Sequence, residues 1–210
     1  MVHFADRTDA GRLLGRHLAT REFGPDPVVL GLPRGGVPVA AEVARALGAP
    51  MDVIVVRKIG VPFQPEVAMG AIAEGGARIV DTELMNRLGL GVREFAAVES
   101  RERATLEERV ARMRRGREPL DLTGRTALIV DDGIATGATA SAACQAARLR
   151  GAARVIVAAP VGSSDVRREV RGADEVLCLV QPVDFGAVGA YYDTFDQVSD
   201  AEVDRLLEEP

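Results

Sequence analysis

The fold of this chain is decided by the stretch Ala127-Leu128-Ile129-Val130-Asp131-Asp132-Gly133-Ile134-Ala135-Thr136-Gly137-Ala138-Thr139. Its first four residues are apolar and predict a buried strand, and two adjacent carboxylates follow at the carboxyl end of that strand. A turn rich in glycine and hydroxyl groups comes next, and then an alanine-rich helix begins. The N–H groups of such a turn and helix start bind phosphate, while the carboxylates bind hydroxyls or a cation. The stretch therefore predicts a site for a sugar phosphate with vicinal hydroxyls.

This segment does not fit three other sequence patterns, each of which places a phosphate-binding or phosphoacceptor site after a strand. A Walker A loop needs a lysine after the second glycine, and none follows Gly137. A dinucleotide fingerprint needs Gly-x-Gly-x-x-Gly, which neither this turn nor Gly31 to Gly36 supplies. Receiver domains need a downstream lysine, whereas the only lysine is Lys58, far upstream. The remaining alternative is an ordinary buried strand followed by an N-capped helix.

Length and composition predict one α/β domain. The chain has 210 residues, of which 47% are hydrophobic but only 4% aromatic, without tryptophan. A core of Val, Ala, Leu and Ile is typical of buried parallel strands and their covering helices. The net charge of -5 and the pI near 5.2 argue against general nucleic-acid binding.

The cysteines and the N-terminus indicate a cytoplasmic protein. Cys144 and Cys178 lie far apart, in apolar surroundings, and are expected to be small buried hydrophobes in a reducing compartment. Met1 to Ala10 is charged and lacks the apolar stretch of a signal peptide. No apolar run is long enough to cross a bilayer, so we expect no membrane association.

Strands alternate with helices along most of the chain. This alternation predicts a doubly wound, mostly parallel sheet of about five strands, with a ligand beyond the carboxyl ends of the strands. The predicted strands are Val28–Leu32, Asp52–Val56, Thr126–Asp131, Val155–Pro160 and Glu175–Val180, and the predicted helices are Asp6–Thr20, Val37–Leu47, Ala138–Arg150 and Ser164–Arg171.

The middle of the chain departs from this alternation. Ile59 to Pro65 carries two prolines and a glycine and is expected to be a mobile loop that closes over the site. Val67–Ala73 and Ala77–Val80 predict a hairpin across Glu74 to Gly76. A helical insertion follows at about 82–118, with a long charged helix from Val92 to Arg115.

The segment 127–139 resembles the signature with which type I phosphoribosyltransferases bind 5-phosphoribosyl 1-pyrophosphate (PRPP). The resemblance implies that Asp131 and Asp132 address the ribose hydroxyls, directly or through water and Mg²⁺. It also implies a loop around the 5-phosphate, formed by Ala135, Thr136, Gly137, Ala138 and Thr139.

Two basic segments are candidates for the pyrophosphate of PRPP. Arg34, Gly35 and Gly36 follow the first core strand; the glycines let an anion approach the backbone, and Arg34 offers a bidentate donor fork. In the family a loop at this position grips pyrophosphate, often through a cis peptide. Arg57 and Lys58 resemble a basic pair of the adenine-type members, although the further lysine of those enzymes is missing here. A plain strand-to-helix turn and a solvent-facing pair are the alternatives.

The run from Pro182 to Asp193 is the candidate acceptor segment. Phe185, Tyr191 and Tyr192 are predicted to stack on a planar acceptor, with packing of the C-terminal helix as the alternative. By loose resemblance to hypoxanthine-type members, Asp193 is a candidate Mg²⁺ ligand. Family members that carry an aspartate before the Thr-Gly of the motif place it near the acceptor, but Ala135 stands here. Glu66 and Glu74 are therefore the candidate bases.

The resemblance implies a single domain, 1–210, with a core at about 27–181 and a small hood, the cap formed by the terminal segments 1–26 and 182–210. It implies a Mg²⁺-dependent enzyme of nucleotide metabolism. The enzyme would move the 5-phosphoribosyl group of PRPP to a nitrogen nucleophile and release pyrophosphate. The expected small-molecule acceptor is a nucleobase. A homodimer is among the expected partners. The arginine-rich run Arg101 to Arg117 is conceivable as a nucleic-acid patch, but such a run is more often a solvated or dimer-facing helix. A non-catalytic PRPP-binding regulator, and an enzyme that uses ribose 5-phosphate or a nucleotide without PRPP, remain as alternatives.

Overall fold

A computed structural model describes residues 3–24, 26–115 and 117–208, with only the backbone described at Glu66. Its centre is a five-stranded sheet in the order β2-β1-β6-β7-β8, in which every neighbouring pair is parallel. The strands are β1 (Val28–Gly31), β2 (Met51–Val53), β6 (Thr126–Val130), β7 (Arg154–Val161) and β8 (Glu175–Val180). The predicted α/β class and the parallel sheet of about five strands are confirmed.

Alternate side chains of the central strands point to opposite faces of the sheet and build two apolar layers. Val29, Leu128 and Ile156 pack under α1 (Arg7–Leu18) and α2 (Gly36–Leu47). The residues next to them in the strands face α5 (Ala138–Leu149), whose small alanines allow close approach. The period of two along each buried strand therefore produces the doubly wound arrangement.

A second sheet of three antiparallel strands lies beside the first. It contains β3 (Val56–Val61), β4 (Gln64–Ala73) and β5 (Arg78–Val80), and α3 (Thr82–Arg87) and α4 (Val92–Arg114) follow it in the chain. Phe95, Leu106 and Met113 form the apolar seam by which α4 packs on the strands. The hairpin between β4 and β5 is confirmed, with a short 3-10 turn at Glu74–Gly76.

The expected mobile loop at Ile59 to Pro65 is wrong. These residues belong to β3, a tight turn and β4, because the pairing register shifts between Ile59 and Val61 and accommodates Pro65. A Cβ on Gly60 would lie 2.5 Å from the carbonyl oxygen of Pro65, so only glycine permits this contact. Prolines at a turn and a bulge look like loop residues in sequence but are compatible with this irregular hairpin.

The terminal segments pack at separate places. Phe4 bridges to Tyr192 in parallel, while α7 (Asp200–Glu208) contributes Val203 to an apolar cluster with Val37 of α2 and Val53 of β2. A single-turn α6 (Val166–Glu169) precedes β8. Across the described ranges, no helix combines the length and apolarity needed to span a bilayer.

Candidate functional site

The loop after β6 presents a row of unused backbone donors. The N–H groups of residues 135 to 139 have no hydrogen-bond acceptor within the described part of the chain. Ile134 fixes the loop from below, since its side chain is buried and its N–H donates to the carbonyl of Val161 in β7 at 3.0 Å. A turn with free N–H groups at the start of a helix is an anion site.

Gly137 turns the chain from this loop into α5. Its φ of +68° lies in the left-handed region, and a Cβ there would lie 2.9 Å from the carbonyl carbon of Glu169. The hydroxyl of Ser141 donates to the carbonyl of Gly137 at 2.7 Å and accepts from the N–H of Arg171 at 2.9 Å. Contacts with α5 and with the segment after α6 thus hold the turn in place, while the N–H groups of residues 135 to 139 stay unpaired within the described residues.

Asp131 and Asp132 lie at the carboxyl end of β6, where they line the same cavity of about 320 Å³ as the loop. Burial, and then the neighbouring charge of Asp132, raise the pKa of Asp131 well above its ordinary value. The N–H of Asp132, which donates to Asp131 at 2.9 Å, and the charge of Lys58 act on this pKa in the opposite direction. A carboxylate held in this way is stabilised by a hydroxyl donor or a cation in the cavity.

Two contacts that the sequence did not predict hold Asp132. Arg7, at the start of α1, donates its Nε–H to Oδ2 of Asp132 at 2.8 Å, and its guanidinium lies 3.8 Å from the ring centroid of Phe195. The hydroxyl of Tyr192 donates to the carbonyl oxygen of Asp132 at 2.6 Å. No local pattern could have found these contacts, since Arg7 resembles any other basic residue of an amphipathic helix.

The predicted pyrophosphate loop lies directly against the acidic pair. The Pro33–Arg34 peptide bond is cis. A Cβ on Gly35 would lie 2.0 Å from Oδ2 of Asp132, and one on Gly36 would lie 2.6 Å from the carbonyl oxygen of Val130. Both glycines are needed for this close packing of the loop on β6. The Arg34 guanidinium lies 3.5 Å from Asp200 of α7.

Arg57 and Lys58 lie in β3, not at the end of a strand of the central sheet as predicted. The structure nevertheless brings Lys58 to the same cavity as Asp131 and the loop at residues 135–139, the predicted phosphate loop. The side chain of Lys58 forms no ion pair or hydrogen bond with the described residues. Arg57 is paired with Glu102 of α4 at 2.5 and 2.8 Å.

The aromatic residues of the acceptor segment turn inward. Tyr191 and Tyr192 are 4% and 6% exposed and pack in a cluster with Phe4. This packing argues against a stacking role for the two tyrosines, because their rings are already covered. Phe185 is half-buried and stacks on Tyr191 with centroids 5.8 Å apart. It remains the one predicted stacking residue with an open part of its surface.

Asp193 does not join the acidic pair. Its side chain is 70% exposed and lies 3.6 Å from the ring of His3. Among the described residues, no three side chains of His, Cys, Asp or Glu converge closely enough to hold a metal ion by themselves. A metal role for Asp193 together with Asp131 and Asp132 is therefore not supported by their positions.

Of the two candidate bases, the structure describes the side chain of Glu74, and it lies away from the cavity. Glu74 lies in a buried ion network, 2.6 Å from Arg114 and 3.9 Å from Arg150, which follows the C-terminal end of α5. The phosphate loop is at the opposite end of this helix, which has 12 residues and is about 18 Å long. This position argues against Glu74 as the base, and the side chain of Glu66 lies outside the described residues.

Comparison with known proteins relates the whole chain to one family. The sequence model of the phosphoribosyl transferase domain matches residues 8–194. A protein of Mycobacterium tuberculosis named "Putative phosphoribosyl transferase" is 54% identical over 209 residues, which are 99% of this chain and 47% of that protein. The chain therefore spans about half the length of the curated relatives it matches.

Solved structures share the fold. The crystal structure of TT1426 from Thermus thermophilus superposes with a TM-score of 0.83 at 42% identity, and the match covers 98% of each chain. A hypothetical protein from Neisseria gonorrhoeae has the same fold at 13% identity, with a TM-score of 0.51 over 98% of this chain and 93% of that one. From the family match over residues 8–194 and these relatives, we conclude that the chain belongs to the phosphoribosyl transferase domain family.

Proposed function

We propose that this protein transfers the 5-phosphoribosyl group of PRPP to a nitrogen nucleophile, such as a nucleobase, and releases pyrophosphate. One observation carries the proposal: a single cavity is lined by the open N–H loop, by the acidic pair and by Lys58, with Gly35 of the predicted pyrophosphate loop at its edge. Those groups match the three parts of PRPP, which are its 5-phosphate, its ribose hydroxyls and its pyrophosphate.

In the proposed reaction the bond between C1 of the ribose and pyrophosphate breaks, and its electron pair leaves with pyrophosphate. A bond forms between C1 and the acceptor nitrogen, and the proton that this nitrogen then loses passes to the released pyrophosphate or to solvent. Positive charge develops on the ribose and negative charge on the leaving group, so catalysis depends on holding the sugar and stabilising the departing anion. Asp131 is the proposed acceptor for the ribose hydroxyls, and Lys58 and Arg34 are the proposed partners of the pyrophosphate.

The acidic pair also fits Mg²⁺. Magnesium is commonly bound by one or two carboxylates together with substrate phosphates, and Asp131 and Asp132 place two neighbouring carboxylates at the cavity. When bound, the ion neutralises charge on the pyrophosphate. The residues that would hold it are Asp131 and Asp132, of which Asp132 is already paired with Arg7.

The acceptor is proposed only as a chemical class, that of nitrogen nucleophiles such as nucleobases. Val188 lines the cavity next to the acidic pair and Phe185 belongs to the same segment, so this segment is the proposed acceptor side. The cytoplasm remains the proposed compartment, supported by the two free thiols of Cys144 and Cys178. The homodimer and the hood of terminal segments stay predictions.

The test is pyrophosphate release from PRPP in the presence of Mg²⁺ and a panel of nucleobases, accompanied by calorimetric titration with PRPP. Asp131→Asn should abolish Mg²⁺-dependent PRPP binding without lowering the melting temperature, because it removes a buried charge. Glu83→Gln, an exposed position on α3, is the matched control and should behave like the wild type. Unchanged PRPP affinity in Asp131→Asn would overturn the site assignment.

A PRPP-binding regulator is the second candidate function, and one observation favours it. Arg7 already occupies one oxygen of Asp132, and apart from Asp131 and Asp132 no carboxylate among the described residues lines the cavity. Saturable PRPP binding without release of pyrophosphate for any acceptor would support the regulator over the enzyme.

A further inference from the structure

A second cavity of about 580 Å³ adjoins the cavity of the phosphate loop. The two share Pro33, Lys58 and Thr139, so a ligand on the loop is continuous with this space. Its floor comes from β3 and its far wall from α4, which contributes Val98, Arg101 and Glu102. The helical insertion is therefore part of the surface that faces the donor site.

We propose that Arg101 and Arg109 of α4 bind the diphosphate group of the donor from the helix side of this second cavity. The inference rests on the proposed function, since PRPP supplies that group.

Charge around the cavity supports this assignment. Three basic side chains line it, and three more lie close to Arg57, since Arg109 feels the charges of Arg57, Arg34 and Arg112. The described carboxylates that pair with these residues are Glu102 and Asp200. Glu102 is bound to Arg57, and Asp200 is shared between Arg34 at 3.5 Å and Arg112 at 3.3 Å. The excess of positive charge indicates an anionic ligand. The basic residues are Arg34, Arg57, Lys58, Arg101, Arg109 and Arg112.

Arg109 is the residue whose surroundings are hardest to explain without a ligand. It lies seven positions after Glu102, and hence on the same face of α4, toward Arg57. It is half-buried, and its side chain forms no ion pair or hydrogen bond with the described residues. Burial, followed by the charges of Arg57 and Arg34, lowers its pKa. A guanidinium held among other cations in this way destabilises the fold, as expected for a ligand-binding group.

The experiment measures calorimetric titrations of the full chain with inorganic pyrophosphate and with PRPP, both with Mg²⁺. Arg109→Gln should weaken pyrophosphate binding by about tenfold or more, as expected for a lost charge-assisted hydrogen bond. Arg101→Gln should act in the same direction, and Arg109→Lys should bind with intermediate affinity because it keeps the charge without the planar fork. Arg93→Gln, exposed in the first turn of α4, is the control.

Thermal unfolding separates binding from folding. Arg109→Gln should melt no lower than the wild type without ligand, because it relieves repulsion, and should lose most of the rise in melting temperature that pyrophosphate causes. If the wild type binds PRPP and Arg109→Gln binds pyrophosphate equally well, the inference is overturned while the proposed function stands. If the wild type binds neither compound, both are overturned.

Discussion

Arg7 and Asp132 are 125 residues apart in sequence, yet Nε of Arg7 donates to Oδ2 of Asp132 at 2.8 Å. Both side chains are mostly buried, with 12% and 14% exposure. The contact joins the first helix of the chain to the acidic pair and places a cation of the protein beside a carboxylate that is proposed to meet the ribose. The N-terminal helix therefore contributes a positive charge next to the acidic pair of the cavity.

Arg7→Gln should lower the free energy of unfolding by about 1.5–3 kcal/mol, the range for a hydrogen bond to a charged group. The affinity for PRPP should stay the same or rise, because Asp132 becomes free to meet the ligand. Urea denaturation and calorimetry measure the two effects. Arg12→Gln is the control, since that side chain is 61% exposed on the same helix. Equal losses of stability in both variants would show that the Arg7–Asp132 contact contributes no more to the free energy of unfolding than an exposed arginine on the same helix.

Gly137→Ala should cost about 1–2 kcal/mol for the left-handed backbone, and more because its Cβ would meet the backbone of Glu169. The displaced loop should also lose its affinity for PRPP. Gly75→Ala is a matched control: its φ of +75° is similar, but nothing lies within 4 Å of the added Cβ. Calorimetric PRPP titration should therefore distinguish two variants with the same backbone penalty. Retained affinity in Gly137→Ala would argue against the loop as the phosphate site.

Glu74→Gln should destabilise the protein by about 1–3 kcal/mol and leave the rate of pyrophosphate release unchanged. The reason is that Glu74 neutralises Arg114, which also donates to Asp52 at 2.6 Å in the same buried network. Chemical denaturation measures the first effect, and the steady-state rate with PRPP measures the second. A large loss of rate in a fully folded Glu74→Gln variant would restore Glu74 as a candidate base.

Cys144 and Cys178 should react slowly with a disulfide reagent in the native protein. Burial raises the pKa of each thiol to about 12, so at pH 8 only about one in ten thousand is the reactive thiolate. The rate should rise about tenfold per pH unit between about pH 7 and 9, and both thiols should titrate at once in denaturant. Fast native labelling of either cysteine at neutral pH would contradict this account.

The local pattern of the chain was sufficient to predict the central sheet and the glycine turn that leads from β6 into α5. Short apolar runs predicted strands that the structure contains, because parallel strands buried on both faces need uninterrupted apolar side chains. The segment Ile59 to Pro65, where β3 turns into β4, was mistaken for a loop, since two prolines and a glycine are compatible with both a mobile loop and an irregular turn with a bulge.

By itself, the sequence determined the chemistry of the stretch 127–139, because glycines, hydroxyls and adjacent carboxylates act over distances of a few residues. Only the tertiary structure decided which distant groups meet them. It brought Arg7 to Asp132 and α4 beside Lys58, and it moved Glu74 into an ion network away from the cavity. The physical reason is that pairing of charges depends on packing between elements, which the periodicity of any single element does not encode.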